Sequence, residues 1–240
     1  MIDDVQPPGT PPRSMRVIIF GATGMVGKGV LLECLRDDRV THVLAIGRRP
    51  IGLSHPKLAE HIRNDFFDWS DADETLAGYD ACFFTLGVSA AGLDEAEYTR
   101  LTFDLALAAA TALARLNPAM TFSYVSGAGT DSSERSRMMW ARVKGRTENA
   151  LLRLPFKAAY MFRPGMIQAV DGVRPSNTLY RRSYAVLGPL ISVARRAFPR
   201  EVVTTAEMGR AMIRVAHEGF PRPVLERADI GTLAREVGPR

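Results

Sequence analysis

The sequence predicts an α/β protein with a doubly wound parallel sheet and a small C-terminal substrate-side region. Three observations lead to this prediction. Short apolar runs alternate with helical patterns from residue 16 to residue 165, and three glycines at intervals of three separate the first apolar run from the first helix. After residue 166 the alternation gives way to longer apolar segments flanked by arginines. Alternation of this kind is typical of parallel strands joined by right-handed helical crossovers.

The elements follow in order along the chain. Residues 1–14 contain four prolines and no apolar stretch, so we expect a flexible tail before a single domain of residues 15–240. Residues 16–20 are apolar, as in a buried strand, and residues 25–36 place their apolar side chains on one helix face. By the same criteria the later strands are 42–46, 59–65 (a weaker one), 80–87, 120–127 and 157–165. The later helices are 68–78 (a short acidic helix or a turn), 95–116, 135–153, 204–219 and a last one that starts at 229.

Residues 166–240 are predicted to form the substrate-side part of the domain. Within them, residues 179–198 are apolar with arginine pairs near both ends, as in helices that lie on anionic membranes. Gly188 and Pro189 interrupt this stretch and break any long helix. A substrate lid or a contact between two copies of the chain is therefore favoured over a membrane surface, and a homodimer is left open.

The composition is that of a globular protein and excludes several classes. The 240-residue chain is 46% hydrophobic and has a formal net charge of +5. Its arginines are scattered and form neither a basic arm nor a DNA-reading motif, which argues against nucleic acid as a partner. No signal peptide or apolar window of membrane-spanning length is evident, so a cytoplasmic location is expected by default. Cys34 and Cys82 lie in apolar segments and are expected to be buried thiols, and no metal site is predicted.

The stretch "GATGMVG" at residues 21–27 indicates a dinucleotide-binding turn of a Rossmann fold. Gly21 permits the tight turn, Gly24 the close approach of a pyrophosphate, and Gly27 the packing of the helix against the strand. The main-chain N–H groups that open the helix lack internal partners and attract phosphate, so the candidate contacts are Gly21, Thr23, Gly24, Met25, Val26 and Gly27. A nucleoside-triphosphate loop is disfavoured because Lys28 is followed by glycine and the glycine spacing is wrong.

The end of the second predicted strand favours NADP(H) over NAD(H). An NAD site usually has an acidic residue there to accept from the ribose hydroxyls, whereas this chain has Arg48 and Arg49. A guanidinium clamps a 2′-phosphate, and a carboxylate repels it. Asp65, after the third strand, is expected at the adenine edge. Leu86 and Gly87, after the fourth strand, are expected to lie along the cofactor.

With these residues the chain resembles the atypical short-chain dehydrogenase/reductases. Among them it is similar to the branch that includes the Tat-interacting-protein-like oxidoreductases and the epimerase-like NAD(P)H-binding proteins. The resemblance covers residues 16 to 170. It rests on "GATGMVG", "GRR", "FTLG", "YVSGAG", "RVKG" and "FRPG", which are specific for the fold and for nucleotide binding and less specific for a reaction.

The resemblance implies a catalytic serine and a Tyr-x-x-x-Lys pair, of which the chain keeps only part. The serine matches Ser126 and the lysine matches Lys144, but Trp140 stands at the tyrosine position. An indole N–H does not ionise in any biological range, so Trp140 cannot pass on a proton. Lys144 is expected to hold the nicotinamide ribose and Ser126 a substrate oxygen. Lys144 is also a candidate proton donor if burial lowers its pKa, as are Tyr98, Tyr124, Tyr180 and Tyr184.

The same resemblance places further residues around the nicotinamide. Pro164 and Gly165 match the loop that turns over it, and Val88, Trp140 and Met166 are expected in the substrate pocket. The function that follows is an NADP(H)-dependent oxidoreductase or epimerase-like enzyme acting on a small, mostly apolar carbonyl or alcohol. The alternative is a regulatory protein that senses NADP(H) without chemistry.

Overall fold

The computed structural model describes residues 14–173 and 202–235. Its centre is a seven-stranded parallel sheet, which confirms the predicted fold class. The first strand of the chain is an inner strand, and the later strands are added on both sides of it. The strands are β1 (Met15–Phe20), β2 (Val40–Gly47), β3 (Leu58–Ile62), β4 (Ala81–Phe84), β5 (Thr121–Val125), β6 (Ala158–Arg163) and β9 (Val224–Glu226), in the spatial order β3-β2-β1-β4-β5-β6-β9.

Helices cover both faces of the sheet. On one face β1 packs with the first helix and the two C-terminal helices, and on the other with aromatic residues and the long alanine-rich helix. Two short strands, β7 (Met166–Gln168) and β8 (Val202–Thr204), form a separate parallel pair. The helices are α1 (Met25–Arg36), α2 (Asp73–Leu76), α3 (Glu95–Thr99), α4 (Leu105–Leu116), α5 (Met139–Leu151), α6 (Thr205–Glu218) and α7 (Arg227–Arg235).

Glycines allow α1 and α6 to pack unusually close together. A Cβ atom on Gly29 would lie 2.4 Å from the Thr205 Cβ, and one on Gly209 would lie 2.8 Å from the Glu33 Cβ. An ion pair between Arg210 and Glu33, at 3.2 Å, joins the same two helices. The C-terminal part of the chain is therefore fixed against the helix that follows the glycine turn.

Two predicted helices differ from the observed ones. The helix predicted at 95–116 contains a π-helical turn at Arg100–Asp104 between α3 and α4. The helix predicted at 135–153 starts only at Met139. Asp131 accounts for the delay, because its carboxylate accepts hydrogen bonds from the main-chain N–H groups of Ser133, Arg135 and Ser136 and holds them in a loop.

Other predictions fall outside the described residues. These are the flexible tail except for residue 14, the apolar segment 179–198, and Tyr180 and Tyr184. Of the residues that the structure does describe, none belongs to a helix with both the length and the apolar character needed to span a membrane. Cys34 and Cys82 are buried free thiols, as expected.

Candidate functional site

A cavity of about 660 Å³ opens where β1, β2 and β4 end, at the carboxyl edge of the sheet. Ligands of doubly wound sheets bind at this edge. Seven of the predicted cofactor residues line the cavity: Gly21, Thr23, Gly24, Arg48, Arg49, Leu86 and Gly87. Seven further lining residues were missed by the sequence analysis: Lys28, Ile46, Gly47, Pro50, Ile51, Phe66 and Thr85.

The glycine turn adopts a backbone that larger residues would not fit. Gly21 has φ 84°, and a Cβ there would lie 2.8 Å from the Leu86 nitrogen. A Cβ on Gly27 would lie 2.1 Å from the Gly21 oxygen, so this glycine packs α1 against the turn and does not line the cavity. Gly24 is the N-cap of α1 and has no side chain to cap the helix, which leaves the N–H groups of Met25 and Val26 available to an anion.

Three cations and no carboxylate line the cavity. The cations are Lys28, Arg48 and Arg49. None of the three has an ion-pair partner in the described part of the chain. Lys28 lies in the first turns of α1, where a side chain leans toward the helix N-terminus and hence toward the glycine turn. The charge around this cavity therefore suits a ligand with several anionic groups.

Asp65, for which a contact with adenine was predicted, does not line the cavity. The Asp65 carboxylate accepts a hydrogen bond from the Phe67 N–H at 2.7 Å and stabilises the loop after β3. Its neighbour Phe66 lines the cavity and packs edge-on against Phe20 and Trp69, with ring centroids 6.4 and 5.9 Å apart.

A second group of predicted residues lies at the ends of β5 and β6, outside the cavity lining. The Lys144 Nζ donates to the Ser126 main-chain oxygen at 2.5 Å, so α5 and the end of β5 meet here. The Ser126 hydroxyl is buried and donates to Glu148 at 2.5 Å. To bind a substrate oxygen, Ser126 would first have to release Glu148. Glu148 and Arg163, which form an ion pair, are the functional candidates that the sequence analysis missed.

The environments of four candidate side chains bear on proton transfer. Burial lowers the pKa of Lys144, and the nearby Glu148 carboxylate offsets this only in part. Trp140 is half-buried and packs on Gly129, where a Cβ would lie 3.2 Å from the indole Cη2. Tyr124 is buried in the core, and burial raises its pKa well above the usual value. Tyr98 is equally buried, so neither tyrosine is exposed to the edge of the sheet.

The remaining predicted residues lie at the carboxyl ends of β4 and β6. Val88 and Met166 are exposed apolar side chains. The Pro164 oxygen accepts a hydrogen bond from the Ala128 N–H at 2.8 Å, which joins the loops after β5 and β6, and Gly165 follows it. Because β4, β5 and β6 are neighbours in the sheet, these residues share one edge with Trp140 and Lys144.

Sequence comparison gives relatives of similar length. Protein fmp52, mitochondrial, from Emericella nidulans is 30% identical over 193 residues, which cover 77% of this chain and 81% of the relative. Protein HTATIP2 from Rattus norvegicus is 29% identical over 175 residues, 71% of each chain. No protein-family model matches. The fmp52 relatives are named mitochondrial, which contradicts the expectation of a cytoplasmic location.

Solved structures share the fold at low sequence identity. The Bordetella bronchiseptica enzyme WbmH in complex with NAD+ superposes with a TM-score of 0.62 at 17% identity, over 88% of this chain and 74% of that one. A short-chain dehydrogenase family protein from Francisella tularensis gives a TM-score of 0.64 at 14% identity, over 91% and 99%. At this identity the likeness establishes the architecture alone.

Proposed function

Because the chain belongs to the Tat-interacting-protein-like branch of the atypical short-chain dehydrogenase/reductases, together with fmp52 and HTATIP2, we propose that it is an NADP(H)-dependent oxidoreductase. Its substrate is proposed to be a small, mostly apolar carbonyl compound or the corresponding alcohol. The observation that carries the proposal is the cavity beside the glycine turn, with three cations and no carboxylate in its lining.

The residues around the cavity fit a dinucleotide. The free N–H groups at the start of α1 suit a diphosphate, and Phe66 offers an apolar ring to a base. Gly87 has open space where a Cβ would be, so a ribose can pass close to the backbone after β4. Solved structures of the same fold contain NAD+ or NAD, which is in keeping with a nicotinamide cofactor.

The preference for the phosphorylated cofactor rests on Arg48 and Arg49. Both are exposed at the end of β2, and neither has an ion-pair partner within the described residues. A 2′-phosphate carries close to two negative charges at neutral pH and would pair with these guanidinium groups. An NAD site would instead place a carboxylate in this position.

The side chains at the ends of β5 and β6 are proposed to transfer the proton to or from the substrate oxygen. When bound, the nicotinamide supplies or accepts a hydride at the substrate carbon. Trp140 cannot exchange a proton, and burial raises the pKa of Tyr124 and so disfavours it as a donor. Lys144 is therefore our candidate proton donor, since burial lowers its pKa toward the range in which it exchanges protons. Val88, Trp140 and Met166 would contact an apolar substrate.

Calorimetry and turnover assays test the proposal. We expect NADPH to bind more tightly than NADH, and we expect NADPH oxidation with at least one member of a panel of apolar aldehydes and ketones. The control variant is Lys144→Met, which should keep NADPH binding within about tenfold and lose turnover. No NADPH binding in the wild type would refute the proposal.

A second candidate function is NADP(H) sensing without chemistry, and Trp140 is the observation that favours it. In this case NADPH binds, no carbonyl is reduced, and a partner binds differently with and without NADPH. The Trp140→Tyr variant separates the two. New turnover in this variant, absent from the wild type, would identify a binding protein that has lost its catalytic acid. Wild-type turnover that the substitution leaves unchanged would support Lys144 as the donor.

A further inference from the structure

The fully buried carboxylate of Glu148 lies one helical turn from Lys144 and accepts hydrogen bonds from residues other than this lysine. Glu148 Oε1 accepts hydrogen bonds from the Ser126 hydroxyl at 2.5 Å and from the Arg163 Nε at 3.0 Å. Its Oε2 accepts from the Arg163 Nη2. In the part of the chain that the structure describes, no ion pair joins Glu148 to Lys144. Glu148, the acidic residue nearest to Lys144 on the same helix, is thus paired with Arg163 and Ser126.

The partners of Glu148 decide what Lys144 contacts. Residues four apart lie on the same face of a helix, so a free carboxylate at position 148 would pair with the ammonium and keep it charged. Lys144 instead donates to the main-chain oxygen of Ser126, a neutral acceptor. Its charge is therefore not matched by a contacting carboxylate.

Arg163 is held in place from three sides. Its guanidinium donates to the Ser132 hydroxyl at 2.6 Å, lies 3.4 Å from the Glu226 carboxylate on β9, and pairs with Glu148 on α5. Only 12% of its side chain is exposed. The position of the guanidinium, and with it that of the Glu148 carboxylate, is set by the loop after β5, by β9 and by α5.

We propose that Arg163 and Ser126 keep the Glu148 carboxylate from pairing with Lys144, so that the Lys144 ammonium can pass a proton to the substrate oxygen in place of the missing tyrosine. This assignment rests on the proposed function. In the direction of reduction, bound NADPH would supply the hydride for the carbonyl carbon, and Lys144 Nζ would give a proton to the carbonyl oxygen. The products are the alcohol, NADP+ and a neutral amine, which takes a proton back from water. Arg163, Ser126 and Glu148 are positioning residues because they act through Lys144.

Among the described residues, Glu148 on the same helix is the charged group that shifts the pKa of Lys144. Arg163 at the end of β6 and Tyr124 on β5 interact with Glu148. Burial lowers the pKa of Lys144, and the Glu148 carboxylate raises it by less. Burial also raises the pKa of Tyr124, so this tyrosine stays neutral over the range of interest. Burial is therefore the main cause of the lowered pKa, and Glu148 is the group whose contact with Lys144 can oppose it.

Nuclear magnetic resonance of the free protein with 13C-labelled lysine tests this directly. The chain has four lysines, Lys28, Lys57, Lys144 and Lys157, and the Lys144 signal is the one absent from Lys144→Met. We expect Lys144 to titrate at a lower pH than the other three. In Arg163→Met, its midpoint should rise by about 1 to 3 pH units, as expected when an opposite charge becomes available nearby.

Two further variants make the test specific. When Glu148→Gln is combined with Arg163→Met, the midpoint should return to the wild-type value or fall below it, since no carboxylate remains to hold the ammonium. The matched control is Arg222→Met, which breaks the exposed ion pair between Arg222 and Asp229 and should leave the Lys144 midpoint unchanged.

The proposal is overturned by an unmoved Lys144 midpoint in Arg163→Met, or by an equal rise in the double variant. If Arg163→Met fails to fold, Ser126→Ala replaces it. Loss of one hydrogen bond to Glu148 should then raise the midpoint by a smaller amount, and no rise would refute the proposal. NADPH calorimetry on the same wild-type sample keeps the two questions apart, because absent binding contradicts the proposed function whatever the lysine signal does.

Discussion

At the scale of single residues, the chain keeps the glycine turn and the cations of the proposed phosphate site, and it has a tryptophan in place of the tyrosine at the proposed proton site. Gly21 and Gly24 lie at the cavity with Arg48 and Arg49, where the sequence placed them. At the other end of the same sheet edge, Trp140 stands where the resemblance implies a tyrosine, and Lys144 retains its place one turn later.

Arg48 and Arg49 are expected to determine cofactor choice. In Arg48→Ala or Arg49→Ala, NADPH affinity should fall while NADH affinity changes little, because NADH carries no 2′-phosphate. A hydrogen bond to a charged group contributes about 1.5–3 kcal/mol, so we expect a loss of about tenfold to a hundredfold for each contact removed. Calorimetry with both cofactors measures this. Arg222→Ala is the control, and equal losses for NADPH and NADH would contradict the assignment.

Lys144 is expected to make stability depend on pH. Burial lowers its pKa in the folded state below the usual value of 10.5. Between the folded and unfolded pKa the unfolded chain binds more protons, so the contribution of Lys144 to stability rises with pH. The free energy of unfolding of Lys144→Met, relative to the wild type, should therefore fall as pH increases toward 10.5. Each unit of lowering corresponds to about 1.4 kcal/mol.

Urea unfolding of both proteins at pH 7 and at successive steps up to pH 10.5 provides the measurement. Lys157→Met is the control, since Lys157 is an exposed lysine outside the candidate site, and its difference from the wild type should not change with pH. A stability difference for Lys144→Met that stays constant over this range would show that the folded lysine titrates normally.

At the scale of elements, the sequence predicts regular packing well and local hydrogen bonding poorly. The strand before the glycine turn and the helix after it are close to their predicted bounds, because apolar periodicity determines both. The capped helix predicted at 204–219 is also present, with Thr204 and Glu207 forming a reciprocal capping box. The loop held by Asp131 and the π-helical turn before α4 carry no comparable signal in the pattern of apolar residues.

The candidate site shows the same contrast between features that the sequence pattern predicts and contacts that only the fold creates. The cavity residues next to the glycines were predictable because the spacing of glycines encodes a turn. Phe66 and Lys28 were missed, since a single aromatic residue after a weak strand carries no signal for a ligand and Lys28 was considered only as a mismatch to another motif. Glu148 was missed because a buried acid gives no sequence signal until its partner is known. Only the fold brings Arg163, at the end of β6, to Glu148 on α5.

The close contact between α1 and α6 gives a stability prediction at this scale. In Gly29→Ala the new Cβ would meet Thr205, and the helices would have to separate. Overpacking of this kind costs about 1–3 kcal/mol. Denaturant unfolding should show this loss, whereas Gly47→Ala, whose Cβ would make only an ordinary contact at 3.6 Å, should unfold near the wild-type midpoint. Equal stability of the two variants would show that α6 can shift without cost.

At the scale of the whole molecule, one sheet edge connects the proposed phosphate site to the proposed proton site. β1, β2 and β4 supply the cavity, and β5 and β6 supply Lys144's surroundings, so a dinucleotide lying along the edge would reach from one group to the other. The fixed contact of α6 with α1 ties the C-terminal region to the same framework. Binding of a cofactor should therefore stabilise the folded domain as a whole.

Thermal unfolding tests this last expectation. A ligand at one hundred times its Kd stabilises the folded state by about 2.7 kcal/mol, which corresponds to a Tm increase of about 5–10 °C for a chain of this length. NADPH should produce such an increase, and NADH at the same concentration a smaller one. In a combined Arg48→Ala and Arg49→Ala variant, the two cofactors should act alike, because both then rely on the glycine turn and Lys28. The Lys144→Met variant should show a somewhat smaller increase with NADPH than the wild type, by at most the equivalent of about tenfold in affinity, since it loses only the expected contact with the nicotinamide ribose. A Tm that no nicotinamide cofactor raises would mean that the cavity serves some other anion.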